Sequence, residues 1–414
     1  MLEPSDHRHQ SLRSNDGKIL TFNAGSSSIK MGVFSLETGA PERIGKGTID
    51  FQRKCLSLQI GRSGTSEIAL ADGGETHPNA IVEAVFTSLA AHIDISHIAA
   101  VGHRMVHGGD LFHCAVAMDD SVLTSVESLL PQAPLHQQHS LELIDAVLRL
   151  HPHMVQTASF DTSFHNTNSG LVRRYALPRA MHDQGIKRFG FHGLSYSFIA
   201  QELGRIAPEI AHAKVVVAHL GSGSSLCGMD GGVSRDVSMG FSTLDGIPMA
   251  TRCGALDPGV LLYLLTEKNR SPAELEHLLY HQSGLLGVSG ISSDSRVLLE
   301  NDRSEAKEAI DLFAFRTAGE TARIVNTLGG IDAFVFTAGI GENQPSIRAA
   351  ISSHLGWLGL HINVKANAAN AQIISSTDSR IKVFVIATDE EQVIADDAFG
   401  LLKALRANWA GPAS

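Results

Sequence analysis

The stretch ILTFNAGSSSIKMGVF, residues 19–34, indicates how this chain of 414 residues folds. An apolar run enters a tight Gly/Ser turn, and an extended apolar pattern resumes after the turn. Glycine accepts positive φ and small side chains leave amide N–H groups free to face an anion, so the stretch reads as strand, turn and strand. A plain hairpin turn is the alternative interpretation.

The same pattern returns about half a chain later in VVVAHLGSGSSLCGMD, residues 215–230. A third β-rich run ends in a glycine turn in AFVFTAGIGENQ, residues 333–344, and is followed by the start of a helix. Two matching turns indicate a duplicated phosphate clamp, and three indicate a nucleotide site. The sequence contains no P-loop, no dinucleotide-binding glycine fingerprint and no protein-kinase catalytic loop.

Composition is typical of a globular protein, with 43% hydrophobic and 18% charged residues. The 33 basic and 43 acidic residues give a formal charge of −10. This charge opposes nonspecific adhesion to nucleic acid or to an anionic membrane, so neither is expected as a partner. An anionic substrate must therefore meet a local cluster of arginines.

The four cysteines are widely spaced, and no secretory signal precedes them, which favours a cytoplasmic setting. No apolar run approaches the roughly 20 residues that span a bilayer. Residues 1–17 are polar and aperiodic, and we expect a flexible extension there. Although the chain has 21 histidines, their spacing does not favour a structural metal site; His136 and His139 are expected in a loop after Pro134.

Strand-like runs alternate with helical patterns along the chain, of which SEAKEAIDLFAFRTAGETARIV, residues 304–325, is the longest. This alternation predicts an α/β fold with mixed sheets. The recurring turns predict two similar, duplicated domains facing each other across a nucleotide cleft. We expect an acceptor-side domain of residues 18–161 plus about 392–414, and a nucleotide-binding domain of residues 162–391.

Polar groups come directly after several predicted strands, where α/β folds present side chains to a ligand. They are Asn23, Arg104, Asp161 and the run Asp389, Glu390 and Glu391. Asp161 could bind Mg²⁺, act on an acceptor or cap a helix. Arg104 and Arg252 lie in glycine-rich segments with few acidic neighbours, and two guanidinium groups could neutralise a site where two anions meet. His192 could reach a cavity or be a satisfied core histidine.

A series of segments resembles the acetate kinase family, in the family's order and spacing, over about residues 18–400. These segments are NAGSSSIK, GHRMVHGG, APLH, FDTSFH, GFHG, HLGSGSS, DVSMGF, ATRCGALDP, SGLLGVSGISSDSR, FTAGIGEN and TDEE. The resemblance implies the fold shared by sugar kinases, actin and chaperone ATPases. It also implies reversible transfer of the γ-phosphoryl group of ATP to acetate, giving acetyl phosphate and ADP, with Mg²⁺, or Mn²⁺ in its place, in a homodimer.

The resemblance also implies roles for individual residues. Arg104 would bind the acetate carboxylate, Asp161 would be the active-site carboxylate, and His192 and Arg252 would stabilise the transferring phosphoryl group. Asn23 and Glu390 would hold the metal, and His136 falls at an active-site position. The methyl pocket would be lined by Val106, Leu135, Phe191 and Thr243. The nucleotide would be bound by Lys30, His219, Leu220, Gly221, Ser222, Gly223, Asp294, Ser295, Arg296, Gly339, Ile340, Gly341, Glu342 and Asn343.

Acetate is ionised at neutral pH, so Asp161 is expected to act electrostatically or to orient Mg²⁺ rather than to remove a proton. Some residues depart from the family pattern. Ser222 replaces Asn, Ala255 replaces Asp, Leu194 and Tyr196 replace Thr and His, and Thr243 replaces the Pro that lines the acyl pocket. A propionate or butyrate kinase is therefore an alternative, since one methylene changes specificity by only about 1–3 kcal/mol. An ATP-gated chaperone-like or actin-like binding protein is the alternative from another class.

Overall fold

A computed structural model describes residues 17–25, 28–61, 64–70, 77–132 and 134–409, without the side chains of 131, 134–136, 408 and 409. Apart from residue 17, the predicted extension therefore lies outside the described residues. The described chain forms two compact units. The first unit lies within Met1–Ser163 and Asp389–Ser414, and the second is Phe164–Thr388.

The described residues contain thirteen strands and sixteen α-helices. The strands are β1 Lys18–Ala24, β2 Ser28–Ser35, β3 Glu42–Asp50, β4 Cys55–Ile60, β5 Ser66–Ala69, β6 Ile98–Met105, β7 Val116–Ala117, β8 Val155–Phe160, β9 Lys214–Leu220, β10 Ser224–Asp230, β11 Val233–Val237, β12 Ala333–Thr337 and β13 Lys382–Val385. The helices are α1 Pro78–Ala90, α2 Asp120–Glu127, α3 Pro134–Leu150, α4 Gly170–Arg173, α5 Arg179–Asp183, α6 Gly193–Ile206, α7 Pro208–Ala211, α8 Pro258–Thr266, α9 Pro272–His281, α10 Gly284–Ser289, α11 Ser295–Leu299, α12 Ser304–Leu328, α13 Ala338–Asn343, α14 Pro345–His354, α15 Val364–Ala368 and α16 Glu390–Trp409.

The second sheet repeats the arrangement of five strands of the first, β3-β2-β1-β6-β8. The first sheet has the order β5-β4-β3-β2-β1-β6-β8-β7, and the second has the order β11-β10-β9-β12-β13. In each, three consecutive antiparallel strands are followed by two strands parallel to the first of them: β6 and β8 in the first unit, β12 and β13 in the second. The first sheet adds β4 and β5 to its antiparallel meander and β7 beside β8. The echoing segments form the corresponding hairpins β1–β2 and β9–β10. The predicted α/β class with duplicated mixed sheets is confirmed.

Alternation along the central strands places apolar side chains on both faces of each sheet, as expected for strands covered on both sides. In β1, Leu20 and Phe22 pack towards α1 and α3, whereas Ile19 packs towards α16. In β9, Val216 and Ala218 pack in a core with α12, whereas Val215 and Val217 pack in a core with α6. Each sheet is therefore the middle layer of its unit.

Helix α12 extends the predicted helical segment by one turn at its carboxyl end, and its buried residues recur at helical spacing. It ends at Gly329, whose φ of 67° lies in the left-handed region that glycine tolerates. None of the helices in the described part of the chain is long and apolar enough to cross a membrane.

The prediction of a loop around His136 and His139 is wrong, because both residues lie in α3. Pro134 is the first residue of this helix. Proline is tolerated in a first helical turn, where its missing N–H would have no partner inside the helix. A proline followed by histidines therefore marked the start of a helix rather than a loop.

Candidate active site

In the first unit, three parallel neighbouring strands carry polar side chains at their carboxyl ends. Asn23 lies in β1, Arg104 lies in β6, and Asp161 directly follows β8. Arg104 Nη2 donates to Asp161 Oδ2 at 2.6 Å, and Nε lies 3.2 Å from both carboxylate oxygens. Asp161 is fully buried. The carboxylate therefore fixes one edge of the guanidinium fork.

The expectation that Arg104 has few acidic neighbours is wrong in three dimensions. Burial opposes the charge of Arg104, but the nearby charges of Asp161, Glu390 and Glu391 outweigh burial and raise its pKa. Its Nη1 atom also donates to Asn23 Oδ1 at 3.2 Å. The acidic partners are remote in sequence and are assembled only by the sheet and by α16.

Two adjacent carboxylates at the start of α16 converge on the amide of Asn23. Asn23 Nδ2 donates to Glu390 Oε2 and to Glu391 Oε1, both at 2.8 Å. Burial first, and then the charge of Glu390, raise the pKa of Glu391, whereas Asn23 and the exposed Lys30 lower it. Arg43 Nη2 also lies 3.9 Å from Glu391 Oε2, so the two carboxylates lie among both acidic and basic groups.

The other residues expected on the acceptor side are only partly described. Val106 follows β6 and is buried. The side chains of Leu135 and His136 lie outside the described residues, so their roles stay predictions. Nearby, Gly108 N donates to Thr162 Oγ1 at 2.9 Å, which ties the segment after β6 to the segment after β8.

In the second unit, two imidazole rings face the glycine turn that follows β9. His192 and His219 stack with ring centroids 4.1 Å apart. A Cβ added at Gly223 would lie 3.3 Å from His192 Nε2, and one added at Gly221 would lie 3.9 Å from His219 Nε2. His192 precedes α6 with a φ of 58°, an uncommon backbone conformation for a residue other than glycine.

Arg252 lies on a loop that is attached to the same turn. Ala250 N donates to Ser222 O at 3.2 Å, and a Cβ at Gly223 would lie 3.8 Å from Arg252 Nη1. The guanidinium also lies over the Tyr280 ring, 5.9 Å from its centroid, and Nη1 lies 3.4 Å from the carbonyl of the buried Thr243. Phe191, the residue before His192, is buried. The fold thus brings His192, Arg252, Thr243 and the turn together.

The two remaining segments predicted to bind nucleotide also meet in this unit. Ser295 Oγ accepts a hydrogen bond from Gln344 Nε2 at 2.7 Å, which joins the start of α11 to the end of α13. Asp294 caps α11 and pairs with Arg296 at 2.6 Å. In α13, Gly339 and Asn343 are exposed, Ile340 and Gly341 are buried, and Glu342 accepts from Thr388 N at 3.1 Å.

Sequence reasoning missed several residues that organise these groups. Glu391 was noted in sequence but given no role, although it holds Asn23 as closely as Glu390 does. The hydroxyls of Ser195 and Ser225 contact the stacked histidines, and that of Tyr196 contacts Ser225. The buried Arg348 donates to the carbonyls of Gly341 and Glu342. The adjacent acidic pair was the one local signal. The hydroxyls and Arg348 have none, because their partners are remote in sequence.

Comparison with known proteins identifies the family of this chain. The sequence model of the acetokinase family matches residues 18–396. An acetate kinase of Nitrobacter hamburgensis is 44% identical over 93% of this chain and 96% of its own length. One of Rickettsia typhi is 39% identical over 93% of this chain and 99% of its own length. The chain belongs to the acetokinase family.

Solved structures lead to the same family. The crystal structure of a propionate kinase from Francisella tularensis is 33% identical, with a TM-score of 0.86 over 92% of this chain and 98% of that one. The crystal structure of Porphyromonas gingivalis acetate kinase is 32% identical to this chain. Its TM-score is 0.82, and the match covers 93% of this chain and 100% of that one.

Proposed function

We propose that this chain transfers the γ-phosphoryl group of ATP to acetate, reversibly, giving acetyl phosphate and ADP. The observation that carries the proposal is the Arg104–Asp161 pair at the carboxyl ends of β6 and β8, in a chain of the acetokinase family. Guanidinium matches the geometry of a carboxylate, and Asp161 holds the fork in one orientation. Arg104 thereby offers a positioned cation to acetate, and Val106, with Leu135 and His136, belongs to the same acceptor side.

On the nucleotide side, we assign the turn from His219 to Gly223, Asp294–Arg296 and Gly339–Asn343 to ATP, and the family resemblance adds Lys30. His192 and Arg252, which face the turn, stabilise charge on the phosphoryl oxygens. Phosphoryl transfer needs little covalent help, so positioning and electrostatic stabilisation supply most of the catalysis. The short distances from His192 and Arg252 to the turn support this assignment.

The acidic group of the first unit fits a divalent cation. Mg²⁺ prefers oxygen ligands and usually takes one or two carboxylates together with substrate phosphates. Glu390 offers such a carboxylate beside Asn23, and Glu391 places a second carboxylate 2.8 Å from the same amide nitrogen. We assign Glu390 and Asn23 to Mg²⁺, or to Mn²⁺ in its place; the ion would neutralise charge on the phosphates.

The test is an assay with ATP, Mg²⁺ and acetate in which hydroxylamine traps the acyl phosphate. We expect hydroxamate formation that depends on acetate, with ADP released in equal amount. The control for variants of Arg104 and Arg252 is Arg205→Ala, which removes an exposed arginine paired with Glu202 and should keep full activity. ATP hydrolysis that does not respond to acetate would favour an ATP-gated binding protein instead.

Propionate is a second candidate acceptor, because one solved relative is a propionate kinase and Thr243 lies beside Arg252. A threonine side chain has as many heavy atoms as a proline ring but is not locked in a ring, so we expect propionate to be used, though less well than acetate. Thr243→Pro should change the acetate-to-propionate ratio of kcat/KM by at most the equivalent of about 1–3 kcal/mol. An unchanged ratio would remove Thr243 from the acyl pocket.

We propose that two copies associate through α8. This helix, PGVLLYLLT, has no buried residue, and Leu262 and Tyr263 are 63% and 50% exposed. Apolar patches of this kind mark association surfaces. Light scattering should give a dimer mass, and Leu262→Glu should give a monomer. A monomeric unmodified chain would refute the proposal.

We also propose a cytoplasmic setting. All four cysteines lie in described parts of the chain, and none forms a disulfide, as expected of a reducing compartment. ATP, the proposed co-substrate, is a cytoplasmic metabolite. Cell fractionation with an antibody against this chain tests the assignment.

A further inference from the structure

The stacked histidines of the second unit are each held at Nδ1 by a serine hydroxyl. His192 Nδ1 lies 2.8 Å from Ser225 Oγ, and His219 Nδ1 lies 2.8 Å from Ser195 Oγ. Each Nε2 atom lies on the side of the ring that approaches the Gly221–Gly223 turn. The two rings therefore present the same edge to one backbone segment.

A second hydroxyl completes the contact to His192. Tyr196 Oη lies 2.5 Å from Ser225 Oγ, and both side chains are fully buried. A phenol is more acidic than an aliphatic alcohol, so it is the better donor and the poorer acceptor. Donation from Tyr196 to Ser225 would direct the proton of Ser225 at His192 Nδ1. An imidazole that accepts at Nδ1 carries its own proton at Nε2 when it is neutral.

We propose that Ser225 and Tyr196 are positioning residues that hold His192 in its Nε2–H tautomer, so that a neutral N–H donor faces the turn after β9. The phosphoryl group as the target of that donor rests on the proposed function. The tautomer itself does not, because it is argued from the contacts among Tyr196, Ser225 and His192.

Helix α6 supports this arrangement from its first turn. Ser195 and Tyr196 are consecutive residues, and one reaches His219 directly while the other reaches His192 through Ser225. Ser195 Oγ also lies 2.9 Å from Thr388 Oγ1. His192 itself adopts the left-handed conformation directly before the helix, a conformation that persists where surrounding contacts compensate its cost. The first turn of α6 thus fixes both rings.

The test is nitrogen NMR of the full-length protein with ¹⁵N-labelled histidine, since protonated and unprotonated ring nitrogens have well-separated chemical shifts. The chain has 21 histidines, so loss of signals in His192→Gln identifies the His192 pair. We expect the unmodified chain to show protonated Nε2 and unprotonated Nδ1. Tyr196→Phe keeps the buried ring and should produce an Nδ1–H population, and Ser225→Ala should do so independently. Tyr263→Phe, on exposed α8, should leave the spectrum unchanged.

Activity provides a second measurement. We expect Tyr196→Phe to lower kcat about tenfold, the size of effect typical for losing one buried hydrogen bond, with KM for ATP and acetate within about twofold. A protonated Nδ1 in the unmodified chain, or an unchanged tautomer in both variants, would overturn the proposal. A shifted tautomer with unchanged kcat would support the proposed tautomer. That result would contradict the proposed role of His192 in phosphoryl transfer.

Discussion

At the scale of single residues, the Arg104–Asp161 pair links stability to the proposed acetate site. Asp161 is 0% exposed on its side chain and Arg104 is 14% exposed. Removing one partner of a buried ion pair leaves a charge that neither water nor protein neutralises. The same substitution therefore changes folding and substrate binding, and these effects must be separated.

We predict that Arg104→Ala lowers the free energy of unfolding by about 3–5 kcal/mol, because Asp161 is left buried without its main cation. The double variant Arg104→Ala/Asp161→Asn should recover much of this loss, while KM for acetate stays raised. Urea unfolding and steady-state kinetics measure the two effects. Equal stability of the single and double variants would contradict the argument.

We predict that Arg252→Ala lowers kcat far more than it weakens ATP binding. Its guanidinium lies beside the turn and above Tyr280, where it can act on the transferring group. An interaction made mainly in the transition state raises kcat without tightening the ground-state complex. Turnover at saturating substrate, compared with the ATP dissociation constant by calorimetry, separates the two. Near-normal turnover would exclude Arg252 from the mechanism.

At the scale of elements, the start of α10 sets the path of the loop that carries Arg252. Gly284 has a φ of 61°, and a Cβ there would lie 2.1 Å from Met249 O and 2.7 Å from Arg252 O. These are backbone atoms, so the loop would have to move. Gly290, at the other end of α10, has the same φ of 61° and nothing within 4 Å of an added Cβ.

We predict that Gly284→Ala lowers kcat at least about tenfold although Gly284 bears no chemical group, because displacement of a catalytic group by about 1 Å is costly. Gly290→Ala should cost only about 1 kcal/mol of stability from its backbone conformation and keep normal kcat. Assays at a temperature where both variants are folded provide the comparison. Similar kcat values in the two variants would show that the loop adapts.

At the scale of the whole molecule, buried neutral histidines make stability depend on pH. Burial lowers the pKa of His103 and of His165 from 6.5 to about 4. The unfolded chain binds protons at these positions below pH 6.5, whereas the folded chain does not until about pH 4. The free energy of unfolding therefore falls as pH decreases from 6.5 to 4, by up to about 1.4 kcal/mol per pH unit for each histidine.

We predict that His103→Gln makes this acid loss of stability shallower. Glutamine can replace the bond from His103 Nε2 to Gln156 Oε1, which is 2.8 Å long, without titrating. Urea midpoints between pH 7.5 and 5.0 measure the slope. His139→Gln is the control, because His139 is 47% exposed and its substitution should leave the slope unchanged. A slope for His103→Gln equal to that of the unmodified chain would contradict the prediction.

The sequence by itself determined the local elements and their class. KVVVAHL is β9 from its first residue to its last, and the periodic segment from residue 304 is α12. The repeated strand–glycine turns predicted two similar domains, which share an arrangement of five strands, and the motifs identified the family. Periodicity carries this information because it reports which side of an element is buried.

Only the tertiary structure decided which side chains meet. Asn23 and Glu391 are 368 positions apart, and Arg104 and Asp161 are 57 apart, yet each pair is in hydrogen-bond contact. The order of strands and the packing of α16 on them set these distances. Neither can be predicted from the sequence around Arg104. For the same reason the hydroxyls of Tyr196 and Ser225 gave no signal: a buried hydrogen bond depends on where two elements cross, which local sequence does not encode.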